Sequence, residues 1–246
     1  MASRRVGAAT LAVLIGSTAL AGCSALPQGP DPLPSTFIPR VSASASADAG
    51  LVGGFAALER DALRVRVRTC DAYATGSAFA IDATHAVTNA HVAEGATDIT
   101  VTGYDGKSYR VTSSVLSREA DLALLTIKDE FPNLVTLAEY EPTVDDVLSI
   151  AGYPRGEALK VTSGPYVGET EDTVGEADDP VYQIDAETHP GNSGSAVAND
   201  DGDVVGVVYA SDDVHATFAV SLPTLKNFLD NLDDAKRNRA DCESQG

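Results

Sequence analysis

The sequence predicts an all-β fold, a barrel or sandwich of short strands closed by one C-terminal helix. Three observations predict it. Leu63-Arg64-Val65-Arg66-Val67-Arg68 alternates strictly between apolar and charged residues, as a half-buried strand does. Similar short runs recur to about residue 220, most of them separated by Gly, Asp, Asn or Pro. Only the end of the chain carries an apolar stripe at helical spacing.

Taken in order, the elements begin with a targeting segment. Arg4 and Arg5 form a positive start, and Val6 to Gly22 is an apolar run ending in small residues. Residues 1–22 therefore read as a signal peptide. Leu20-Ala21-Gly22-Cys23 resembles the lipobox of bacterial lipoproteins, which implies a lipidated Cys23 as the mature N-terminus. The competing reading is an uncleaved anchor, because the run is close to the ~17-residue lower limit for spanning. Either way, the rest of the chain lies outside the cytoplasm. Residues 23–50 are rich in Pro, Ser and Ala and read as a flexible tether. Residues 51–246 form the expected folded domain.

Composition narrows the function. The 246 residues carry a formal net charge of -19, which argues against nucleic acid as a partner. The acid reads first as a solvated surface that keeps the protein soluble, and second as a field that steers cationic peptides. With Cys23 set aside, Cys70 and Cys242 remain, an even number in an oxidising compartment. One disulfide between them is expected, with two free thiols as the alternative. A monomer is the default oligomeric expectation.

The predicted strands are Leu63 to Arg68, Gly76 to Ile81, Ala86 to Thr88, Ile99 to Thr102, Tyr109 to Leu116 and Leu122 to Ile127. After the acidic stretch 129–146 come Val147 to Ala151, Leu159 to Thr162, Val181 to Asp185, Ser195 to Ala198, Val204 to Tyr209 and Thr217 to Val220. Ser221 then caps a helix with Pro223 in its first turn, and Leu222, Leu225, Phe228, Leu229 and Leu232 form its stripe.

Three stretches carry chemistry. Pro190-Gly191-Asn192-Ser193-Gly194-Ser195 is a turn in which glycines let a serine stand exposed beside backbone N–H groups. Alone it is ordinary turn composition. Thr88-Asn89-Ala90-His91-Val92 follows a short strand and offers a general base. Of the other histidines, His85, His189 and His215 read as non-catalytic, with His189 the first exception to consider. Asp121 heads the apolar run Asp121-Leu122-Ala123-Leu124-Leu125, placed to hold a histidine ring.

Together with Thr75-Gly76-Ser77-Ala78-Phe79, Gly152-Tyr153-Pro154 and Val204-Val205-Gly206-Val207-Val208, these motifs resemble the trypsin and chymotrypsin family, in its bacterial branch. The chain is similar to actinobacterial periplasmic acid-resistance proteases and, more distantly, to HtrA protease domains without their PDZ domain. The resemblance covers about residues 63 to 235. It implies a chymotrypsin-like double six-stranded β-barrel with the site in the cleft between barrels. It implies a serine endopeptidase acting on protein or peptide substrates, with His91, Asp121 and Ser193 as the catalytic triad. The N–H groups of Gly191 and Ser193 would form the oxyanion hole, and Thr188, Tyr209, Ala210 and Ser211 would line the S1 pocket. No metal or cofactor is implied. The implied location is the outer face of the cell membrane, through the lipid on Cys23.

The sequence departs from the family at three places, the first being Ser195, which stands where a glycine is common. Asn192 stands where digestive relatives carry the aspartate that binds a new N-terminus, so activation by that salt bridge is not expected. Val208 aligns with the histidine that glutamate-specific relatives use, which argues against that specificity. Glu187 sits at the offset of a trypsin-like specificity acid. The expected S1 preference is neutral and modest. The alternatives are a catalytically silent binding or scaffold protein on the same fold, and an esterase or other acyl transferase.

Overall fold

Alternation in the first strand becomes the wall of a barrel. The structure is a computed structural model that describes residues 55–172, 180–212, 216–240 and 242. The predicted leader and tether, residues 1–50, lie outside the described residues, as does His215. No helix among the described residues is long and apolar enough to cross a membrane.

A short helix α1 (Phe55–Asp61) leads into β1 (Ala62–Arg68), β2 (Tyr73–Ala80), β3 (His85–Thr88), a one-turn helix α2 (Ala90–Ala93), β4 (Asp98–Thr102), β5 (Ser108–Ser117) and β6 (Leu122–Ile127). In β1, Leu63, Val65 and Val67 are buried inside the barrel with Tyr109, Leu125 and Ile127, while Arg66 and Arg68 face out. β1 pairs antiparallel with β2 and β4, β3 with β2 and β6, and β5 with β4 and β6. The six strands close on themselves, which leaves no central edge unpaired.

The second half repeats the plan. β7 (Val147–Gly152), β8 (Lys160–Thr170), β9 (Val181–Asp185), β10 (Ala196–Ala198), β11 (Val204–Ser211) and β12 (Ala216–Ser221) form a closed barrel in the order β10-β11-β12-β9-β8-β7. Leu148, Ile150, Tyr182, Ile184, Val197, Val205 and Val208 fill its interior. α3 (Leu222–Asp230) packs on β11 and β12; Ser221 caps it by accepting from Thr224 N. Of the predicted stripe, Leu222, Leu225 and Phe228 are buried. Leu232 falls in the 3₁₀ turn beyond the helix.

A third apolar cluster holds the barrels together. Leu58, Phe79, Val87, Leu122 and Leu124 from the first half pack with Tyr153, Val181, Val207, Tyr209, Leu225 and Phe228 from the second. Fully burying one such side chain contributes about 1.5 to 3 kcal/mol. Docking of the barrels is therefore mainly an apolar event.

The tail returns to the first barrel. β13 (Lys236–Arg237) adds to β5 opposite Val115 and Leu116. The Asn238 amide donates to Ala93 O at 2.6 Å and accepts from Gly95 N at 3.1 Å, gripping the segment after α2. The expected disulfide joins Cys70 and Cys242, with Cα atoms 5.6 Å apart and a sequence separation of 172. A loop that long gives an entropic ceiling of about 5 kcal/mol for the cross-link.

One carboxylate works against the fold. Asp61 ends α1, where the helix dipole already disfavours negative charge, and burial pushes its carboxyl up to about 6 despite the pull of Arg60. The folded state thus holds this proton more tightly than the unfolded chain. Its contribution to stability is full below about pH 4 and is lost as pH rises through 6. Asp61→Asn is expected to raise the melting temperature at pH 8 by about 2 to 4 °C, a gain of roughly 1 kcal/mol after allowing for solvent screening. At pH 4 the two melting curves should coincide; an equal shift at both pH values would refute the assignment.

Candidate active site

Two short segments at the barrel interface carry the predicted residues. α2 starts immediately after β3, so Asn89, at its N-cap, brings His91 into the first turn. Asp121 opens β6 and stands beside it. Its backbone is in the left-handed region, with φ of 47°, a conformation that Asp tolerates better than most residues. That turn delivers a side chain only 3% exposed. Both carboxylate oxygens accept from His91: Oδ1 from the backbone N–H at 2.9 Å, Oδ2 from Nδ1 at 2.8 Å. The Asp121 carbonyl accepts from Ala90 N at 3.1 Å and from Asn89 Nδ2 at 3.0 Å. An acceptor-only carboxylate on Nδ1 assigns the proton to Nδ1 and makes Nε2 the basic nitrogen of the neutral ring. The His91 side chain remains 34% exposed.

The serine stands on the loop between β9 and β10. Gly191 and Gly194 have φ of 102° and 87°, which only glycine adopts without strain. The peptide groups here can be followed one by one. Pro190 O accepts from Arg155 N at 2.6 Å, and Asn192 O accepts from Ser195 N at 2.8 Å. In a trans peptide the N–H points opposite to the carbonyl. These two bonds therefore turn Gly191 N–H and Ser193 N–H to the other side of the loop, where neither has an acceptor among the described residues. The intervening peptides are held at both ends. Asn192 N donates to His189 O and Gly194 N to Val208 O, while Gly191 O and Ser193 O accept from Ser77.

The two halves meet over Gly76. A Cβ there would lie 2.8 Å from Val92, which follows His91, and 3.1 Å from Ser193 O. Ser193 Oγ donates to Tyr209 O at 3.3 Å in this structure.

The cavity beside the serine has a volume of about 230 Å³ and is lined by all four residues expected at S1, Thr188, Tyr209, Ala210 and Ser211. His189, Pro190, Asn192, Ser193 and Val208 complete it. No Asp, Glu, Lys or Arg is among the lining residues described. Glu187 is half-exposed and turned to His189 Nε2 at 3.3 Å, so it does not act as a floor acid. Tyr209 hydroxyl donates to Asp172 at 2.7 Å. His85 pairs with Asp82 in the turn before β3, at 2.8 Å, an arrangement that uses its ring for local structure. No group of metal-ligating side chains occurs among the described residues.

Some functional contacts have no signal in the sequence. Ser77 and Arg155 hold the serine loop from a strand and a turn, and Tyr153 N donates to the Ser77 hydroxyl. Ser77 and Tyr153 stand inside motifs, yet no motif says what their polar atoms touch.

A double barrel with an acid-backed histidine on one half and a glycine-flanked serine on the other defines a chymotrypsin-like scaffold. The chain belongs to the trypsin-like peptidase domain family, whose model matches residues 76–207. It is similar to serine protease Rv3671c of Mycobacterium tuberculosis, with 30% identity over 222 residues, 83% of this chain and 54% of that protein. It is also similar to the chloroplastic protease Do-like 2 of Arabidopsis thaliana, with 32% identity over 168 residues, 63% of this chain and 27% of that protein. The chain thus spans between about a quarter and about half of the length of these relatives. Among solved structures, the active form of the Rv3671c protease matches with a TM-score of 0.67 and 25% identity, covering 75% of this chain and 85% of that one. The HtrA-type protease AlgW with a tripeptide shares the fold at a TM-score of 0.66 and 24% identity, covering 73% and 62%.

The left-handed turn at Gly194 is a test of this geometry. A Cβ there would run into Ser77 O and Thr88 Oγ1, the first of which is backbone and cannot step aside. Gly194→Ala combines the cost of a left-handed non-glycine residue with overpacking, about 3 kcal/mol or more. It is expected to lower the melting temperature by at least about 6 °C. Wild-type melting would refute the geometry.

Proposed function

We propose that this protein is a serine endopeptidase in which Ser193 is the nucleophile, His91 the general base and Asp121 its orienting acid. The observation that carries the reading is the pair of N–H groups, Gly191 and Ser193, left without an acceptor next to Ser193 while every carbonyl around them is held. Such a pair is what a developing oxyanion requires.

On this reading the substrate carbonyl carbon is attacked by Ser193 Oγ, which turns from Tyr209 O toward His91 Nε2 as substrate binds. Apo geometry of this kind is commonly loose and tightens in the complex. His91 accepts the hydroxyl proton, and Asp121 holds the ring through Nδ1–H and stabilises the imidazolium. The carbonyl oxygen, now negative, accepts from Gly191 N and Ser193 N. Collapse of the tetrahedral species breaks the C–N bond, and His91 returns the proton to the leaving amine. Water then repeats the sequence on the acyl-enzyme. The neutral lining of the S1 cavity supports an uncharged P1 side chain of modest size.

Residues 51–246 are proposed as the peptidase domain, held outside the cytoplasm by a lipid on Cys23 through the tether 23–50. The charged start, apolar run and Cys23 support that placement. A relative named as a probable periplasmic serine endoprotease in Halomonas elongata supports the extracytoplasmic side of it.

A fluorophosphonate probe and a fluorogenic peptide library test the reading together. The wild type is expected to be labelled and to cleave peptides. Ser193→Ala should lose labelling and at least about 1,000-fold in kcat. The base must be neutral to act, so kcat/KM should fall on the acid side, about tenfold per unit once the ring is protonated. Equal labelling of wild type and Ser193→Ala, or a flat profile down to pH 4, would overturn the proposal. Labelling without peptide turnover would favour an esterase, and neither would favour a silent scaffold.

A further inference from the structure

Ser77 lies on β2 of the first barrel, is completely buried, and makes four hydrogen bonds, two of them to the serine loop of the second. Its N–H donates to Ser193 O at 2.7 Å. Its hydroxyl donates to Gly191 O at 2.8 Å and accepts from Tyr153 N at 3.0 Å. Its carbonyl accepts from Thr88 Oγ1 at 2.7 Å. Each is between buried groups, where a lost partner is costly to replace.

The pattern of these bonds matters more than their number. Four consecutive peptide units run from Pro190 to Gly194. The first and third present the N–H groups of Gly191 and Ser193. The second and fourth have their carbonyls on Ser77, one on its side chain and one on its backbone. The orientation of a peptide plane is set by the dihedrals on either side of it. Clamping the second and fourth planes therefore restricts how far the first and third can rotate. Gly191 is the weak point, because glycine permits rotation that other residues resist. There the only bond to the carbonyl among the described residues is from the Ser77 hydroxyl, and the neighbouring turn is tied to that hydroxyl oxygen through Tyr153 N.

We propose that Ser77 is a positioning residue for the oxyanion hole: its hydroxyl, reaching across the barrel interface, holds the Gly191–Asn192 peptide so that Gly191 N–H faces the site. This inference rests on the peptidase reading above. It assigns to the first barrel a direct part in setting geometry on the second. Arg155 N on Pro190 O constrains the preceding peptide from the turn Pro154–Gly156, whose Gly156 carbonyl accepts from Arg64 of β1 at 3.4 Å. Both constraints thus trace back to β1 and β2 of the same barrel.

The test compares the wild-type protein with Ser77→Ala and with Ser77→Cys, which puts a bulkier and poorer donor at the same position. A fluorogenic peptide cleaved by the wild type supplies kcat and KM, normalised to sites titrated with the fluorophosphonate. A peptidyl trifluoromethyl ketone of the same sequence supplies affinity for a species that places an oxyanion in the hole. Removing one oxyanion donor outright costs about 100- to 1,000-fold in kcat. Loosening one is expected to cost about 10- to 100-fold, with KM within about threefold, and the ketone should weaken by a similar factor. Ser77→Cys should show the same direction with a smaller loss. If Ser77→Ala does not fold, Ser77→Cys decides alone. Wild-type kcat per titrated site in a folded variant overturns the inference, as does a loss of kcat with unchanged ketone affinity. A wild type that neither labels nor cleaves peptides defeats the peptidase reading itself, and this inference falls with it.

Discussion

The hydrogen bonds between Ser77 and the serine loop are the contact on which the site depends, because they join two separately closed barrels at the atoms that matter. Each barrel has its own apolar interior, and hydrogen bonds from both hold the serine loop: Gly194 N donates to Val208 O of the second, and two loop carbonyls accept from Ser77 of the first. The loop sits at the seam. Its glycines give it the freedom to make a tight turn, and that same freedom would let its peptides swing. Neutral hydrogen bonds contribute only about 1 kcal/mol each to stability. The apolar cluster through Phe79, Val87, Tyr153, Tyr209 and Phe228 supplies far more docking energy. A division of labour follows: apolar burial brings the barrels together, and a few polar contacts fix the register in which they meet.

Asp121 shows the same logic on the histidine side. A carboxylate buried to 3% exposure is tolerable only if its oxygens are satisfied. Both are, by two N–H groups of one residue, and its carbonyl is taken by the two residues before His91. Asp121 thus caps the segment that carries His91. Removing it would loosen α2 as well as the ring. The left-handed backbone at Asp121 is the local strain that makes this inward turn possible. Below α2, Asn238 grips Ala93 and Gly95, so the C-terminal tail supports the segment from the opposite side.

Much of this architecture was legible in the sequence because barrels announce themselves by alternation. β1 reads directly as Leu63, Val65 and Val67 inward with arginines outward. The helix cap at Ser221 and Pro223 follows from elementary chemistry at helix ends. β8 was harder: it runs through Gly164, Pro165 and Gly168 to Thr170, well past the predicted Thr162. Those residues normally end a strand, and here a register shift between Tyr166 and Gly168 absorbs them. β13 is two residues long and has no pattern to read. His91, Asp121 and Ser193 could be singled out only as a set, because each alone is ordinary strand-end or turn composition. Glu187 could be assigned an offset but not a direction; the structure turns it to His189. Ser77 was visible only as a letter in a motif, because its role depends on which carbonyls from residues more than a hundred positions away come within reach.

That distance has a physical consequence for how the site forms. Contacts between β2 and the loop at Pro190 to Ser195 are among the most non-local in the chain, and such contacts are made after the loops between them have been closed. A first barrel could close on its own alternation, and so could a second, without either one fixing the N–H groups of Gly191 and Ser193 in their final orientation. Completion requires the seam. The acid distribution fits that dependence: residues 138–235 carry 21 Asp and Glu against three Lys and Arg, so the second barrel repels itself far more than the first. Its closed sheet and the apolar seam must offset that repulsion. The site is thus built where the more acidic half is anchored by the less acidic one, and a buried serine on the latter sets the direction of an N–H on the former.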